Sequence, residues 1–155
     1  MSKTLIAYFS ASGVTARAAR EMADAIGADL YEICPAAPYT DADLNWMDKK
    51  SRSTLEMNDP ACRPALASQV ERMEQYDTVF VGFPVWWYVE PRIVDTFLES
   101  YDFTGKTMIP FATSGGSGIS KAEKSLREHC PGGNWKKGRL VNSGAAEWAG
   151  TMLGK

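Results

Sequence analysis

The sequence predicts an α/β fold, a doubly wound parallel sheet with helices on both faces, and three observations carry it. Short, nearly continuous apolar runs of strand length recur along the chain, as strands covered on both faces require. Stretches of helical period alternate with them. The turns that follow several of the runs are rich in small, hydroxyl or aromatic residues, which suits loops gathered at one sheet edge. At 155 residues the chain has room for one domain with a full core and not for two ordinary ones, so one domain is expected over 1–155.

The first run, Thr4 to Phe9, is a buried strand. After it Val14, Ala18, Met22 and Ile26 recur every fourth residue while Arg17, Arg20, Glu21 and Asp24 take the other face, the pattern of a helix packed on a sheet. Gly27 ends it, and Asp29 to Ile33 follows as a second strand. From Cys34 to Pro60 the period disappears; a short helix over Asp43 to Ser51, or a cover for part of a site, is the expectation. Helical spacing returns over Ala65 to Met73, Tyr76-Asp77 is a turn, and Thr78 to Phe83 is the third strand. A helix carrying Ile93, Val94, Phe97 and Leu98 comes next, then a strand over Lys106 to Thr113, where Pro110 cannot donate a ladder hydrogen bond and implies a local irregularity. A helix with Ile119, Ala122 and Leu126 on one face, a strand over Arg139 to Asn142 and a closing helix over Ala145 to Leu153 complete the chain.

Three loops stand out. Ser10-Ala11-Ser12-Gly13-Val14-Thr15 places three hydroxyls and a glycine between a strand and a helix N-terminus. Free backbone N–H groups and the helix dipole favour an anion there, and neutral hydroxyls add donors. A simple cap needs one hydroxyl, and this turn has three. Pro84-Val85-Trp86-Trp87-Tyr88 puts three adjacent aromatics in a loop, and alternate side chains of an extended loop cannot all face one core, so at least one should line a pocket or a partner surface. Thr113-Ser114-Gly115-Gly116-Ser117-Gly118 offers a backbone that a ligand can approach closely, although it matches neither the dinucleotide nor the G-K-[ST] nucleotide fingerprint. At the carboxyl edge of one parallel sheet these loops would converge on a ligand with a phosphate at one end and a flat ring at the other.

Composition narrows the function. Hydrophobic residues at 45% and charged residues at 23% are globular values, and no apolar run approaches membrane-spanning length. A formal charge of -2, with no basic cluster beyond Lys136-Lys137 and Lys49-Lys50-Ser51-Arg52, gives little support to nucleic-acid binding. Met1-Ser2-Lys3 leads into only six apolar residues with no small-residue cleavage site, so a cytoplasmic protein is expected. Cys34, Cys62 and Cys130 have no C-x-x-C spacing and are expected as reduced thiols. His129, the sole histidine, is expected on the surface near a helix C-terminus, which leaves no histidine cluster for a metal.

In the order of its elements and in all three loops the chain resembles the flavodoxin family over essentially its whole length. The resemblance implies the sheet order 2-1-3-4-5 with five strands, and FMN as the cofactor. It implies that Ser10, Ser12, Gly13, Val14 and Thr15 hold the phosphate. Pro84, Val85, Trp86, Trp87 and Tyr88 would flank the ring, with Trp87 the first choice for stacking and Trp86 the second. Thr113, Ser114, Gly115, Gly116 and Gly118 would close over the other side. The implied function is an electron-transfer protein working with a reductase and an acceptor protein; the alternative is an FMN-dependent NAD(P)H:quinone or other small-substrate oxidoreductase, with a small-molecule acceptor and with Tyr88 and Glu90 as substrate contacts. Two departures favour the alternative. Many family members are strongly acidic, whereas this chain is near neutrality. Many also place a glycine beside flavin N5, where a peptide flip needs positive φ; Pro84 to Glu90 has none, so left-handed backbone there is expected to be costly and one-electron reduction poorly supported.

Overall fold

The computed structural model describes residues 3–11, 13–45, 47–114 and 118–153. Strand β1 (Lys3–Tyr8) is followed by α1 (Val14–Ile26), β2 (Asp29–Glu32), α2 (Arg52–Met57), β3 (Tyr76–Pro84), α3 (Arg92–Glu99), β4 (Thr107–Thr113), α4 (Ser120–His129), β5 (Asn134–Trp135), β6 (Arg139–Leu140) and α5 (Ala145–Met152). The strands pair in parallel in the order β2-β1-β3-β4-β5, and β6 also pairs with β4.

Alternation along each strand divides the core. Leu5, Ala7 and Phe9, with Val79, Val81 and Phe83, face α3 and α4, where Ile93, Val94, Phe97, Ala122 and Leu126 meet them. Ile6 and Tyr8, with Phe80, Ile109 and Phe111, face α1 and α5, where Ala19, Met22, Ala145 and Trp148 close the second layer. Gly82 belongs to this second face and is required there, because a Cβ would lie 2.1 Å from Cζ of Phe111 on the neighbouring strand.

Four expectations are corrected. The described residues of 43–51 form no helix, because Thr40, Asp43, Asn45 and Asp48 side chains bond nearby backbone N–H groups and compete with helical bonds. The helix comes later, as α2, behind Ser51 as its cap. Residues 65–72 form no helix, and Arg72 at their end is left-handed with φ of 56°. Their backbone pairs with the segment after β2, Ala36 N–H donating to Ala65 O and Ala67 N–H to Cys34 O, both at 2.8 Å, while Leu66 and Val70 pack on the α3–α4 core. Tyr76-Asp77 opens β3 instead of forming a turn. The strand expected from Arg139 is the short β6, and a strand not expected, β5, precedes it; the two are parted opposite Pro110 of β4. The β3–β4 register runs through Pro110 unbroken, and the irregularity falls on the other side. There Pro110 has no N–H to give, Gly138 lies so close that a Cβ would meet Pro110 O at 2.1 Å, and the Gly138 N–H turns away to Glu123 Oε2 at 2.8 Å.

Candidate functional site

The sheet order reverses direction between β1 and β3, and the loops leaving the carboxyl ends of β1, β3 and β4 meet at that point. Gly13 opens α1 with φ of 94°, a left-handed value that a side chain resists. The N–H groups of Gly13 and Ala16 both point at one acceptor, Ser10 Oγ, at 3.1 and 3.2 Å. Gly13 is the N-cap and makes no side-chain cap bond; Ser10 takes these donors from three residues upstream, and they converge as anion-binding donors do. Thr15 is turned inward and is 2% exposed. Its hydroxyl meets that of Thr113 at 2.8 Å and ties the first loop to the third. Ser12 lies outside the described residues.

The aromatic loop is a tight two-residue turn. Val85 N–H donates to Thr113 O at 2.9 Å; Trp86 N–H donates to Val89 O at 2.9 Å and Val89 N–H to Trp86 O at 3.1 Å. Between them Trp87 and Tyr88 have φ of 49° and 73°. Left-handed backbone is therefore adopted without glycine, at a cost of about 1–2 kcal/mol per residue. Trp86 packs edge-on against Phe9 at 5.7 Å and against Tyr39 at 5.6 Å between ring centroids. Trp87 and Tyr88 are exposed at the tip, with Lys121 Nζ 4.8 Å over the Tyr88 ring. Tyr39 fixes the segment between β2 and α2 beneath this loop. Its hydroxyl donates to Glu56, Arg52 covers its ring at 3.9 Å, and burial followed by the Glu56 contact holds the phenol well above its usual range.

In the third loop Ser114 N–H donates to Asn142 Oδ1 at 3.0 Å and Asn142 Nδ2 donates to Ser114 O at 2.6 Å. Gly118 is exposed, and Gly115 and Gly116 lie outside the described residues. Val14, Pro84, Val85, Trp86, Thr113, Ser114 and Asn142 line a cleft of about 300 Å³. Of the five ring-loop residues expected to flank a flavin, the structure brings Pro84, Val85 and Trp86 to this cleft, and Trp87 and Tyr88 are not among its lining. Asn142 was missed from sequence, where its signal was its place just past a strand at the same sheet edge.

Glu90 and His129 correct two further expectations. Glu90 is fully buried and cannot touch a substrate. His129 does end α4, but its ring faces inward, with Nδ1 3.6 Å from Asp95 Oδ1 and 3.8 Å from Glu90 Oε2.

A converging pair of helix-terminal donors, an aromatic-walled cleft and a switch point in a doubly wound sheet form a site whose shape and donors suit a phosphate-bearing ring ligand. The chain belongs to the flavodoxin family, whose profile matches residues 3–151. Among solved structures it is similar to a Bacteroides uniformis protein assigned as a flavoprotein, 55% identical over 99% of both chains with a TM-score of 0.93. A Bacteroides eggerthii protein assigned in the same way is 51% identical over 99% of this chain and 97% of its own, with a TM-score of 0.95. A Lactobacillus acidophilus flavoprotein in complex with FMN shares the fold at 21% identity, covering 96% of this chain and 99% of its own, with a TM-score of 0.78. No curated protein sequence matches the chain. No helix among the described residues is long and apolar enough to cross a membrane.

Proposed function

We propose that this flavodoxin binds FMN and serves as an electron carrier between protein partners. The observation that carries the reading is the convergence of the Gly13 and Ala16 N–H groups beside the cleft walled by Trp86. The phosphate would displace Ser10 Oγ from those two donors and accept from the hydroxyls of Ser10 and Ser12 as well, with the α1 dipole adding to the attraction. Thr15 would set the distance between the first and third loops. Pro84, Val85 and Trp86 would press on the ring and exclude water, while the Ser114–Asn142 clasp would limit its far edge. Bound FMN supplies the one- and two-electron redox chemistry.

The described residues lining the cleft include no titratable side chain, which favours electron transfer over a reaction that needs a protein acid or base. One observation favours the second reading, an FMN-dependent NAD(P)H:quinone or related oxidoreductase: the exposed rings of Trp87 and Tyr88 at the tip of the same loop form an aromatic surface on which a small acceptor can stack. A visible spectrum after incubation with FMN, followed by NADH or NADPH and a quinone, separates the two. A carrier binds FMN yet oxidises nicotinamide only when a separate reductase is added. Rapid direct oxidation establishes the enzyme, and failure to take up FMN removes both readings. Ser10→Ala combined with Ser12→Ala should lower FMN affinity while leaving riboflavin affinity nearly unchanged, and equal losses would refute the phosphate assignment.

A further inference from the structure

Three side chains that the flavin site does not use meet in the interior between α3 and α4. Glu90 and Asp95 are both 0% exposed, and one ligand atom from each of Glu90, Asp95 and His129 lies within 4.8 Å of the others. Glu90 Oε2 accepts the Ser125 hydroxyl at 2.9 Å. Among the described residues Glu90 Oε1 and both oxygens of Asp95 find no hydrogen-bond donor. Two buried carboxylates this close cannot both be ionised; the pair requires a proton or a cation.

The neighbours decide between the two. Arg92, from α3, brings Nη1 to 3.9 Å from Asp95 Oδ2, while its Nε and Nη2 donate to the carbonyls of Glu56 and Met57 at 3.2 and 2.8 Å. It can balance one carboxylate. Arg63, farther off, is engaged with Glu99 through two hydrogen bonds of 2.8 and 3.0 Å. From α4, His129 Nδ1 lies 2.8 Å from Ser125 O, a carbonyl that can only accept, so this nitrogen carries a hydrogen and has no lone pair for a metal. The same N–H faces Asp95 Oδ1 at 3.6 Å and Glu90 Oε2 at 3.8 Å, so His129 meets the second charge only when Nε2 is protonated as well; beside a neutral ring one carboxylate charge is left over, and a proton on the pair fits. Burial first, and then the facing Asp95, push the Glu90 carboxyl up to about 10, and burial raises Asp95 as well.

Glu90 directly follows Val89, the residue that closes the aromatic turn, and directly precedes Pro91 at the start of α3. Its side chain is bonded to α4 through Ser125 and faces Asp95 of α3. We propose that Glu90 and Asp95 form a one-proton carboxyl pair that latches the aromatic turn to α3 and α4, and that removing the proton frees the turn and weakens its hold on a bound flavin ring. The effect on the ring rests on the FMN reading; the pair itself does not.

The test uses the full chain with and without FMN. In the FMN-free protein near neutral pH, infrared spectroscopy should show the carbonyl stretch of a protonated buried carboxyl, and Glu90→Gln, a neutral isostere of the protonated acid, should abolish it. The folded carboxyl binds its proton more tightly than the unfolded one, so this contribution to stability is complete below the ordinary carboxyl range and is lost as pH rises toward about 10. The thermal midpoint of the wild type should accordingly fall with alkaline pH relative to that of Glu90→Gln. The ratio of their FMN affinities should fall by roughly threefold to tenfold over the same range, the titration of FMN itself cancelling in the ratio. If Glu90→Gln does not fold, Asp95→Asn replaces it, and it should blunt the alkaline loss because Glu90 then faces no anion.

Absence of the protonated-carboxyl band overturns the pair. So does a stoichiometric divalent cation in the purified wild type that Glu90→Gln loses. A band accompanied by a pH-independent affinity ratio overturns the latch. If no FMN binds, the FMN reading fails by itself, and the band and the midpoint still decide the pair.

Discussion

Replacing Thr15 and Thr113 by valine, singly and together, tests whether the first and third loops are locked by one buried contact. The two hydroxyls are 2.8 Å apart, and the residues are 2% and 5% exposed. Water cannot take the place of a lost partner. Thr15→Val keeps the shape but leaves the Thr113 hydroxyl buried without its bond, at a cost of about 1–3 kcal/mol. For a chain of this size each kcal/mol lowers the midpoint by roughly 2–4 °C, so a cost of about 2 kcal/mol is a drop of about 4–8 °C. Thr113→Val should behave alike. The double variant removes both polar groups and should cost less than either single change, giving a coupling of about 1–3 kcal/mol in a double-mutant cycle. Calorimetric or denaturant unfolding of the FMN-free protein measures all four corners. Additive losses, or single losses below about 0.5 kcal/mol, would refute the lock. Riboflavin and FMN should lose affinity in the same proportion in Thr15→Val, because the lock acts on loop spacing and not on the phosphate.

Gly82→Ala forces a methyl into the Phe111 ring and should destabilise the protein by about 1–3 kcal/mol; Phe111→Leu in the same chain should recover part of this, and an unfolding midpoint unchanged by Gly82→Ala would show that the ring yields freely. Trp87→Asn with Tyr88→Gly gives the turn the residues its left-handed backbone prefers and should raise stability by about 1 kcal/mol, and a lower midpoint would contradict the cost assigned to this turn. Tyr39→Phe removes the bond to Glu56 beneath Trp86 and should cost about 1.5–3 kcal/mol, with a loss of FMN affinity measurable by fluorescence titration; a silent substitution would mean that the segment between β2 and α2 does not brace the aromatic loop.

The strands and the long helices were legible because a parallel sheet buried on both faces writes continuous apolar runs, and α1 writes an uninterrupted four-residue repeat. The three loops were legible for the same reason, since each begins where a run stops. Residues 65–72 were misread because Leu66 and Val70 fall at helical spacing, yet their partners, Cys34 to Ala36 and Tyr101, lie about thirty residues away in either direction and take the backbone groups a helix would use. The split of the last strand depended on Gly138 meeting Pro110, again a distant pair. In the site, Thr15 was recognised as a loop hydroxyl but its inward turn toward Thr113 was not, because 98 positions separate the two. Glu90 read naturally as a carboxylate at a helix start. Nothing in its neighbourhood in sequence announces Ser125 or His129, 35 and 39 positions on.

The division of the last strand into β5 and β6 also bears on how the molecule behaves in a crowded solution. A sheet with a long bare margin invites another chain to continue its ladder, and from there to fibres. On this side β4 is bordered by two strands of two residues each, parted where Pro110 has no donor and Gly138 has turned its own toward Glu123. On the opposite side β2 is only four residues long, with an acid at each end in Asp29 and Glu32. Neither margin offers an incoming strand a flat run of unpaired groups, so the fold protects itself against edge-to-edge aggregation by interruption at one border and by charge at the other.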